Sequence, residues 1–349
     1  MLFSLNAMRS IIDGASAVDL PHLDIRDRAR AREFLRSYGF DLNNPEEAAE
    51  LDWVRRTAAD ILQRTIVPEG RRVPREILTQ RDVPTLLVWA SNRAHEMRRR
   101  RAWSCALLRV AHSLTHAYSD FNESYSPMIR RQIETRYRAH LRGDDEALTL
   151  GEGDDAVELE RFDVRPIKTL QAATLKLLNA AENVGAGVFD WLGVRFVTRR
   201  TVDALLVVRY LRRHKIISFP NIVPRRCRNS LVDLNALEPA ILAAEASGGT
   251  IEQKITKLRA ADRPPAPRQH SEHNSHSASD YRSIQFTCRE LVRLPRPGGG
   301  SARFFFPYEV QILDADSYAQ ATRGPASHAG YKRRQLESVR ARVPRGLEL

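Results

Sequence analysis

The chain has 349 residues, 42% of them hydrophobic, and a formal net charge of +12 at pH 7. This length accommodates two domains of ordinary size, each with its own core. No apolar run approaches the ~20 residues of a membrane-spanning helix, and the N-terminus lacks the pattern of a secretion signal, so we expect a cytoplasmic protein without a membrane partner. The three cysteines show no disulfide or metal spacing. The positive charge indicates a polyanionic partner, either a nucleotide or a nucleic acid such as RNA.

The first 142 residues are predicted to be mainly helical. Apolar residues recur at helical spacing over 29–40, and this helix is predicted to stop at Gly39. Asn44 followed by Pro45 and two acidic residues marks the start of a second helix, which extends to about residue 66. Further helices are predicted at 83–98, 101–120 and 126–141.

The remainder of the chain is predicted to mix helices and strands. The acidic, glycine-rich segment 143–155 is taken as the boundary between an all-helical domain, 1–150, and this second domain, 151–349. Proline, serine and histidine are frequent in a long insertion at 220–280, which indicates that part of it is a mobile loop. The predicted elements are a helix at 165–181, a strand at 188–198, a helix at 201–214, a hairpin of strands at 283–294 and 302–313, and helices at 315–323 and 326–341.

The second strand of the hairpin divides its side chains into an apolar set and a polar set. Successive residues of a strand point to opposite faces of the sheet. One face is therefore a continuous apolar layer, made by Phe304, Phe306, Tyr308, Val310 and Ile312. Glu309 and Gln311 share the opposite face. A carboxylate beside an amide is not expected in a strand that only packs in a core, so this pair indicates a functional site.

Five short motifs follow one another in the C-terminal half. They are two lysines after an arginine (Arg165, Lys168, Lys176), D-W-L-G-V-R (Asp190, Gly193, Arg195), Y-R-S-I-Q at 281–285, E-V-Q-I at 309–312 and H-A-G-Y-K at 328–332. In this order they resemble the synthetase domain of the RelA/SpoT family and of its small alarmone synthetase relatives. The resemblance covers about 165–335. Its strength lies in the order of the motifs, because one short motif alone is weak.

The resemblance implies an α+β fold (mixed α/β). A nucleotidyltransferase-like domain with a mixed central sheet would follow the helical domain. It also implies an enzyme that transfers pyrophosphate from ATP to the ribose 3′-hydroxyl of GDP or GTP, which is the synthesis of an alarmone. Asp190 and Glu309 would then bind Mg²⁺, which needs few carboxylates when phosphates complete its shell. Glu309 would also draw the proton from the acceptor hydroxyl, and Gln311 would orient the acceptor or a bound water.

The same resemblance assigns ATP binding to four cations, Arg165, Lys168, Lys176 and Arg195. Lys168 and Lys176 are eight residues apart, about two turns of the predicted helix, so they are expected on roughly one face. Strict alternation places Arg195 opposite Asp190, unless Gly193 marks a bulge. A solvated basic helix is the alternative explanation for the two lysines.

Acceptor binding is assigned by the resemblance to residues of the third and fifth motifs. Tyr281 matches the tyrosine on which the family stacks the acceptor base. The further residues are Arg282, Gln285, His328, Tyr331 and Lys332. On a helix, His328 shares a face with the last two of these.

Three departures from the family pattern leave the acceptor open. Gln285 replaces a histidine, Leu313 and Asp314 replace an arginine and a threonine, and the insertion at 220–280 replaces a basic loop. Adenine nucleotides and the 3′ end of a tRNA are therefore retained as acceptors. The rival interpretation is a non-catalytic nucleic-acid-binding protein that has kept the fold, and it would be favoured if the two acids were far apart or already paired with arginines. The sequence does not indicate the oligomeric state.

His112 and His116 form a further candidate site. Their spacing of four residues on a predicted helix can bind a metal ion. The glutamate of an H-E-x-x-H motif is absent, so helix packing is the favoured interpretation.

Overall fold

The structure is a computed structural model that describes residues 16–19, 23–118, 120–144, 147–179, 191–260, 282–296, 298–323, 328–344 and 347. The chain divides into two compact units. The helical unit consists of Met1–Asp120, Thr169–Val188 and Lys332–Leu349, and the sheet unit consists of Phe121–Lys168 and Phe189–Tyr331. The predicted boundary near residue 150 lies within the sheet unit. Among the described residues, no helix is both long enough and apolar enough to cross a membrane.

The N-terminal part is helical, as predicted. Its α-helices are α1 (Arg28–Tyr38), α2 (Pro45–Ile61), α3 (Arg75–Thr79), α4 (Val83–Ser91), α5 (Arg98–Ala117) and α6 (Asp120–Arg138). Helix α1 ends at Gly39, whose φ of 117° favours glycine. The predicted cap of α2 is confirmed, since the Asn44 side chain accepts a hydrogen bond from the backbone N–H of Glu46 (3.0 Å). A π-helical turn at Leu62–Ile66 continues α2 to the predicted end.

The remaining helices and the strands mostly follow the predicted order. They are β1 (Leu141–Arg142), β2 (Thr149–Leu150), β3 (Val157–Arg165), α7 (Leu170–Asn179), β4 (Gly193–Thr198), α8 (Asp203–Arg213), β5 (Arg228–Asn229), α9 (Leu234–Ala246), α10 (Ile251–Ala260), β6 (Ile284–Pro295), β7 (Ser301–Asp314), α11 (Ala315–Arg323) and α12 (His328–Arg342). The hairpin of β6 and β7, with its glycine-rich turn, is confirmed.

Two predictions of local structure need correction, and the prediction of a mobile loop in part of the insertion stays a prediction. The helix expected at 165–181 begins only at Leu170, because the residues up to Arg165 belong to β3. The helix expected at 83–98 ends at Ser91, since Asn92 has an extended backbone. Part of the insertion at 220–280 is ordered as α9 and α10, while residues 261–281 lie outside the described part.

One seven-stranded mixed sheet organises the sheet unit, which confirms the predicted fold class. The strand order is β1-β2-β3-β4-β7-β6-β5. Only β4 and β7 pair in parallel among these strands, and all the other neighbours are antiparallel. The apolar face of β7 lies in the core, where Tyr308, Val310 and Ile312 are fully buried. The alternation predicted for this strand is therefore confirmed. Glu309, on the opposite face, is only partly buried and can contact a ligand.

Two buried tyrosines fasten α6 to the sheet. The hydroxyl groups of Tyr137 and Tyr308 lie 2.9 Å apart, and both side chains are completely buried. Burial raises the pKa of both phenols above the ordinary value of about 10, so both stay neutral and can share one hydrogen bond.

We expect Tyr308→Phe to lower the free energy of unfolding by about 1–3 kcal/mol, because it leaves the hydroxyl of Tyr137 buried without its partner. In the double variant with Tyr137→Phe, the loss is expected to be smaller than the sum of the two single losses. Urea unfolding of the four proteins measures this coupling. Strictly additive losses would contradict the shared hydrogen bond.

The helical unit has its own core and a partly buried histidine pair. Its core joins side chains of α2, α4 and α5 with Leu178 of α7 and with Val339 and Val343. His112 Nδ1 lies 2.7 Å from the hydroxyl of Tyr38, and the rings of His112 and His116 are 4.5 Å apart. Within the described residues, no group of three or more potential metal-binding side chains occurs. The rings of the two histidines contact each other and the ring of Tyr38, which is the kind of packing favoured from the sequence.

The free energy of unfolding is expected to fall as the pH is lowered from about 6.5 to 4. Burial, with a smaller contribution from His116, lowers the pKa of His112 to about 4. Between this value and the unfolded value of about 6.5, the unfolded chain binds the extra proton, so acid favours unfolding by up to on the order of 3 kcal/mol. His112→Gln should flatten this slope in urea unfolding between pH 7 and 4.5. A variant with the same slope as the parent protein would exclude His112 as its source.

Candidate active site on the polar face of the sheet

The register of the sheet places the predicted site residues on one face. Residues paired directly across neighbouring strands share a face. One row runs Arg165, Gly193, Glu309, Thr287 from β3 to β6. The next row runs Asp163, Arg195, Gln311, Gln285, Arg228 from β3 to β5. Four of the five motifs therefore meet on adjacent rows, although the span from Arg165 to Gln311 covers more than 100 residues of sequence.

Glu309 is held by two neighbours through one oxygen. Its Oε2 accepts a hydrogen bond from Arg165 Nη2 (2.7 Å) and another from Gln311 Nε2 (2.9 Å). The side chains of Arg165 and Glu309 are 29% and 22% exposed, and Gln311 is buried. Partial burial strengthens such an ion pair relative to one in open water. The carboxylate is therefore fixed in orientation at the surface of the sheet.

Gly193 makes the contact between Arg165 and Glu309 possible. Arg165 lies on β3 and Glu309 on β7, so the arginine must pass over β4, which separates them. A Cβ added at Gly193 would come within 2.5 Å of Arg165 Nε and 2.6 Å of Nη2. A glycine is thus required at this point by the close approach of the guanidinium group. This is the physical reason for a glycine in the D-W-L-G-V-R motif.

Arg195 lies on the same face, next to an aromatic ring. Its Nη2 is 3.5 Å from Gln311 Oε1, at the limit of a hydrogen bond. The ring of Tyr318 on α11 contacts the guanidinium groups of Arg195 and Arg161, at 5.7 and 5.9 Å from the ring centre. Asp163 forms two hydrogen bonds of 2.8 Å with Arg161 Nε. The site therefore contains three guanidinium groups, Arg161, Arg165 and Arg195, and two carboxylates.

The charge and the hydrogen-bonding capacity of this face suit an anion. The Nε atoms of Arg165 and Arg195 are buried and have no hydrogen-bond partner among the described residues. Buried donors without partners are rare, and each requires an explanation. An oxyanion such as a phosphate accepts hydrogen bonds from several guanidinium nitrogens at once. The arrangement can therefore bind a phosphate group more readily than a neutral ligand.

Glu309 fits the magnesium site that the resemblance implies, as one of its ligands. Mg²⁺ in nucleotide sites uses one or two carboxylates together with substrate phosphates. The carboxylate of Glu309 would supply one of these ligands, and two hydrogen bonds to its Oε2 already hold it in place. The second implied ligand, Asp190, lies outside the described residues.

The four cations predicted to bind ATP do not all belong to the same unit of the chain. Lys168 lies in the segment before α7, where its N–H donates to the carbonyl of Trp191 (3.0 Å). The prediction that Lys168 shares a helix face with Lys176 is therefore wrong, because only Lys176 is on the helix. Lys176 belongs to the helical unit, whereas Lys168, Arg165 and Arg195 belong to the sheet unit. Arg195 shares its face with Glu309.

The acceptor residues are described only in part. Gln285 stands opposite Gln311 in the ladder, and Arg282 precedes β6, partly exposed. Lys332 is exposed on α12 and belongs to the helical unit. Tyr281 and the side chains of His328 and Tyr331 lie outside the described part. Their assignment to acceptor binding stays a prediction.

Sequence reasoning missed Arg161, Asp163 and Tyr318. The first two lie on β3, whose apolar residues alternate up to Leu159 and then shift phase by one. The register with β4 is irregular between Leu159 and Arg161, which marks a bulge and explains why a strict alternation was not recognised. Tyr318 follows β7 within a predicted helix, and only its contact with two arginines reveals a role.

Comparison with known proteins gives structural similarity only. No protein-family model and no curated protein matches the chain. The chain is similar to the small alarmone synthetase 1 from Bacillus subtilis, with 13% identity and a TM-score of 0.29 over 70% of this chain and 87% of that one. It is also similar to a GTP pyrophosphokinase family protein from Streptococcus pneumoniae, with 15% identity and a TM-score of 0.31 over 64% of this chain and 86% of that one.

Gly193→Ala is expected to uncouple Arg165 from Glu309 while leaving the fold intact. The atoms that an alanine would meet are the mobile end of Arg165, so that side chain moves aside at little cost in stability. A double-mutant cycle with Arg165→Met and Glu309→Gln, followed by urea unfolding, should give a coupling on the order of 1 kcal/mol in the parent protein. The coupling should approach zero in the Gly193→Ala background.

Gly248→Ala is the matched control, since nothing lies within 4 Å of a Cβ at that position. It should leave the coupling between Arg165 and Glu309 unchanged. An equal coupling in both alanine backgrounds would show that Gly193 is not required for the contact.

Proposed function

We propose that the chain is a pyrophosphokinase, which transfers the β,γ-pyrophosphoryl group of ATP to the ribose 3′-hydroxyl of a second nucleotide and releases AMP. The observation that carries this proposal is the convergence of Arg165, Arg195, Glu309 and Gln311 on one face of the sheet. These residues come from three motifs that, in the same order, resemble the RelA/SpoT synthetase domain. By that resemblance the acceptor is GDP or GTP.

The guanidinium groups are proposed to bind the phosphates of ATP. In this class of reaction, catalysis consists largely of positioning the reactants and stabilising negative charge. Arg165 and Arg195 each have a buried Nε without a partner among the described residues, and a phosphate oxygen would satisfy it. Tyr318 keeps Arg195 in place through its ring.

Glu309 is proposed to accept the proton of the attacking hydroxyl. The acceptor oxygen forms a bond to the β-phosphorus, and the bond from that phosphorus to the oxygen of AMP breaks. Gln311 fixes the carboxylate of Glu309 and leaves Oε1 available. Bound Mg²⁺ would neutralise charge on the phosphates, with Glu309 and Asp190 as its protein ligands.

A non-catalytic polyanion-binding protein is the second candidate. The observation that favours it is the 2.7 Å ion pair between Arg165 and Glu309, since an acid already paired with an arginine was the expected sign of a site without catalysis. In the catalytic proposal, the phosphates of ATP compete with Glu309 for Arg165. Because a bound polyanion would compete for Arg165 in the same way, the two candidates differ in whether phosphoryl transfer occurs and depends on Glu309.

The proposal is tested by incubating the protein with Mg²⁺ and γ-labelled ATP and, in separate reactions, with GDP, GTP, ATP or bulk tRNA. Label should pass to one of these acceptors. Glu309→Gln should lower the rate by roughly 10²–10³-fold, because it removes a charged group that acts in the transition state. Asp190→Asn is expected to have a loss of the same kind.

Glu158→Gln and Arg199→Met are the matched controls. These residues form an exposed ion pair between β3 and the end of β4, at 3.1 Å, so a change there alters charge on the sheet outside the proposed site. Both controls should retain the parent rate. An absence of transfer to every acceptor, with tRNA binding unaffected by Glu309→Gln, would exclude the enzyme and leave the binding protein.

A further inference from the structure

The helical unit contains an apolar cavity that its packing does not require. The cavity has a volume of about 190 Å³ and lies among α1, α2, α4 and α5. Its wall is built mainly from aliphatic and aromatic side chains. The buried ones include Leu35, Phe40, Val54, Leu86, Leu87 and Leu107.

The cavity is open to the surface on one side, so it is a pocket and not a closed void of the core. Protein cores are packed as densely as organic crystals, and they hold few voids larger than a water molecule. Apolar cavities of about 150 Å³ stay dry and bind molecules such as benzene. The cavity in the helical unit is larger than this, and Phe34 in its wall is 39% exposed, so the wall reaches the surface there.

One side of the cavity is polar but uncharged. Tyr38, His112 and Thr115 contribute to the wall, and the hydroxyl of Tyr38 lies 2.7 Å from His112 Nδ1. Burial raises the pKa of Tyr38 to about 12, and burial together with His116 lowers the pKa of His112 to about 4. Both groups are therefore neutral at pH 7, and they can exchange a hydrogen bond with a ligand.

The two arginines in the wall are engaged with the protein. Arg55 forms an ion pair of 2.9 Å with Asp52, and Arg109 donates a hydrogen bond to the carbonyl of Val343 (2.6 Å). Both side chains are buried. A charged ligand would have to lose its water beside a wall that is almost entirely apolar, which is strongly unfavourable.

We propose that this cavity is a binding site for an uncharged, largely apolar small molecule that carries a single hydroxyl or carbonyl group. The apolar body would fill the space between the four helices. The polar group would form a hydrogen bond at Tyr38 and His112. The helical unit would then be a small-molecule-binding module, a role that is independent of the chemistry proposed for the sheet unit.

The matched pair p-cresol and toluene tests the proposal by isothermal titration calorimetry on the full chain. The two molecules differ by one hydroxyl group. We expect both to bind at one site per chain, and p-cresol to bind at least fivefold more tightly. In the double variant Tyr38→Phe and His112→Leu, which removes the polar groups, this preference should disappear while toluene still binds.

Ala111→Leu fills the cavity and should weaken both ligands at least tenfold, because Ala111 is part of the wall on α5. Ala29→Leu is the control, since Ala29 is exposed on α1 and does not line the cavity. Binding that is insensitive to Ala111→Leu would place the ligands elsewhere and overturn the proposal.

An absence of saturable binding of either ligand to the full chain would also overturn the proposal. Thermal unfolding of each variant without ligand verifies that it is folded.

Discussion

The site on the sheet depends on one ion pair that crosses a strand. Arg165 and Glu309 lie on strands that do not touch each other, and they meet only because Gly193 on the strand between them has no side chain. The contact requires that three strands have the correct register at once, since a shift by one residue would turn Glu309 towards the core. The neighbouring row, with Arg195 and Gln311, is aligned by the same pairing.

The sequence was most informative where a strand has one buried face. The alternation in β7 correctly predicted both its core and the position of Glu309 and Gln311, because the period of a strand is two. It was least informative at β3, where a bulge near Glu160 interrupts the alternation of apolar residues. The strand that carries Arg165 was therefore not predicted. The motif order still identified Arg165 and Arg195 as cations of the site. Motifs cannot show, however, that Tyr318 contacts two of the guanidinium groups.

The composition of the insertion changes at about residue 260. Its proline, serine and histidine residues are concentrated after residue 260, whereas 234–260 contains the alanine, leucine and glutamate typical of helices. Asp233 caps α9, and Arg259 of α10 forms a 2.9 Å ion pair with buried Asp203, which ties this part of the insertion to α8. The average composition of residues 220–280 therefore combines a helical segment with a segment rich in proline, serine and histidine. The two are distinguished when the composition of each is considered separately.

The discontinuous course of the chain has a consequence for its synthesis. The core of the helical unit is built mostly from the first 120 residues, but Leu178, Val339 and Val343 also belong to it. A growing chain on the ribosome therefore completes the sheet unit before this helical core, although most of the helices are made first. During that interval, which lasts about 10 s or more at roughly 5–20 residues per second, the early helices expose apolar surface that Leu178 and then Val339 and Val343 cover. Chaperones that bind such surfaces would thus meet this protein through its first helices.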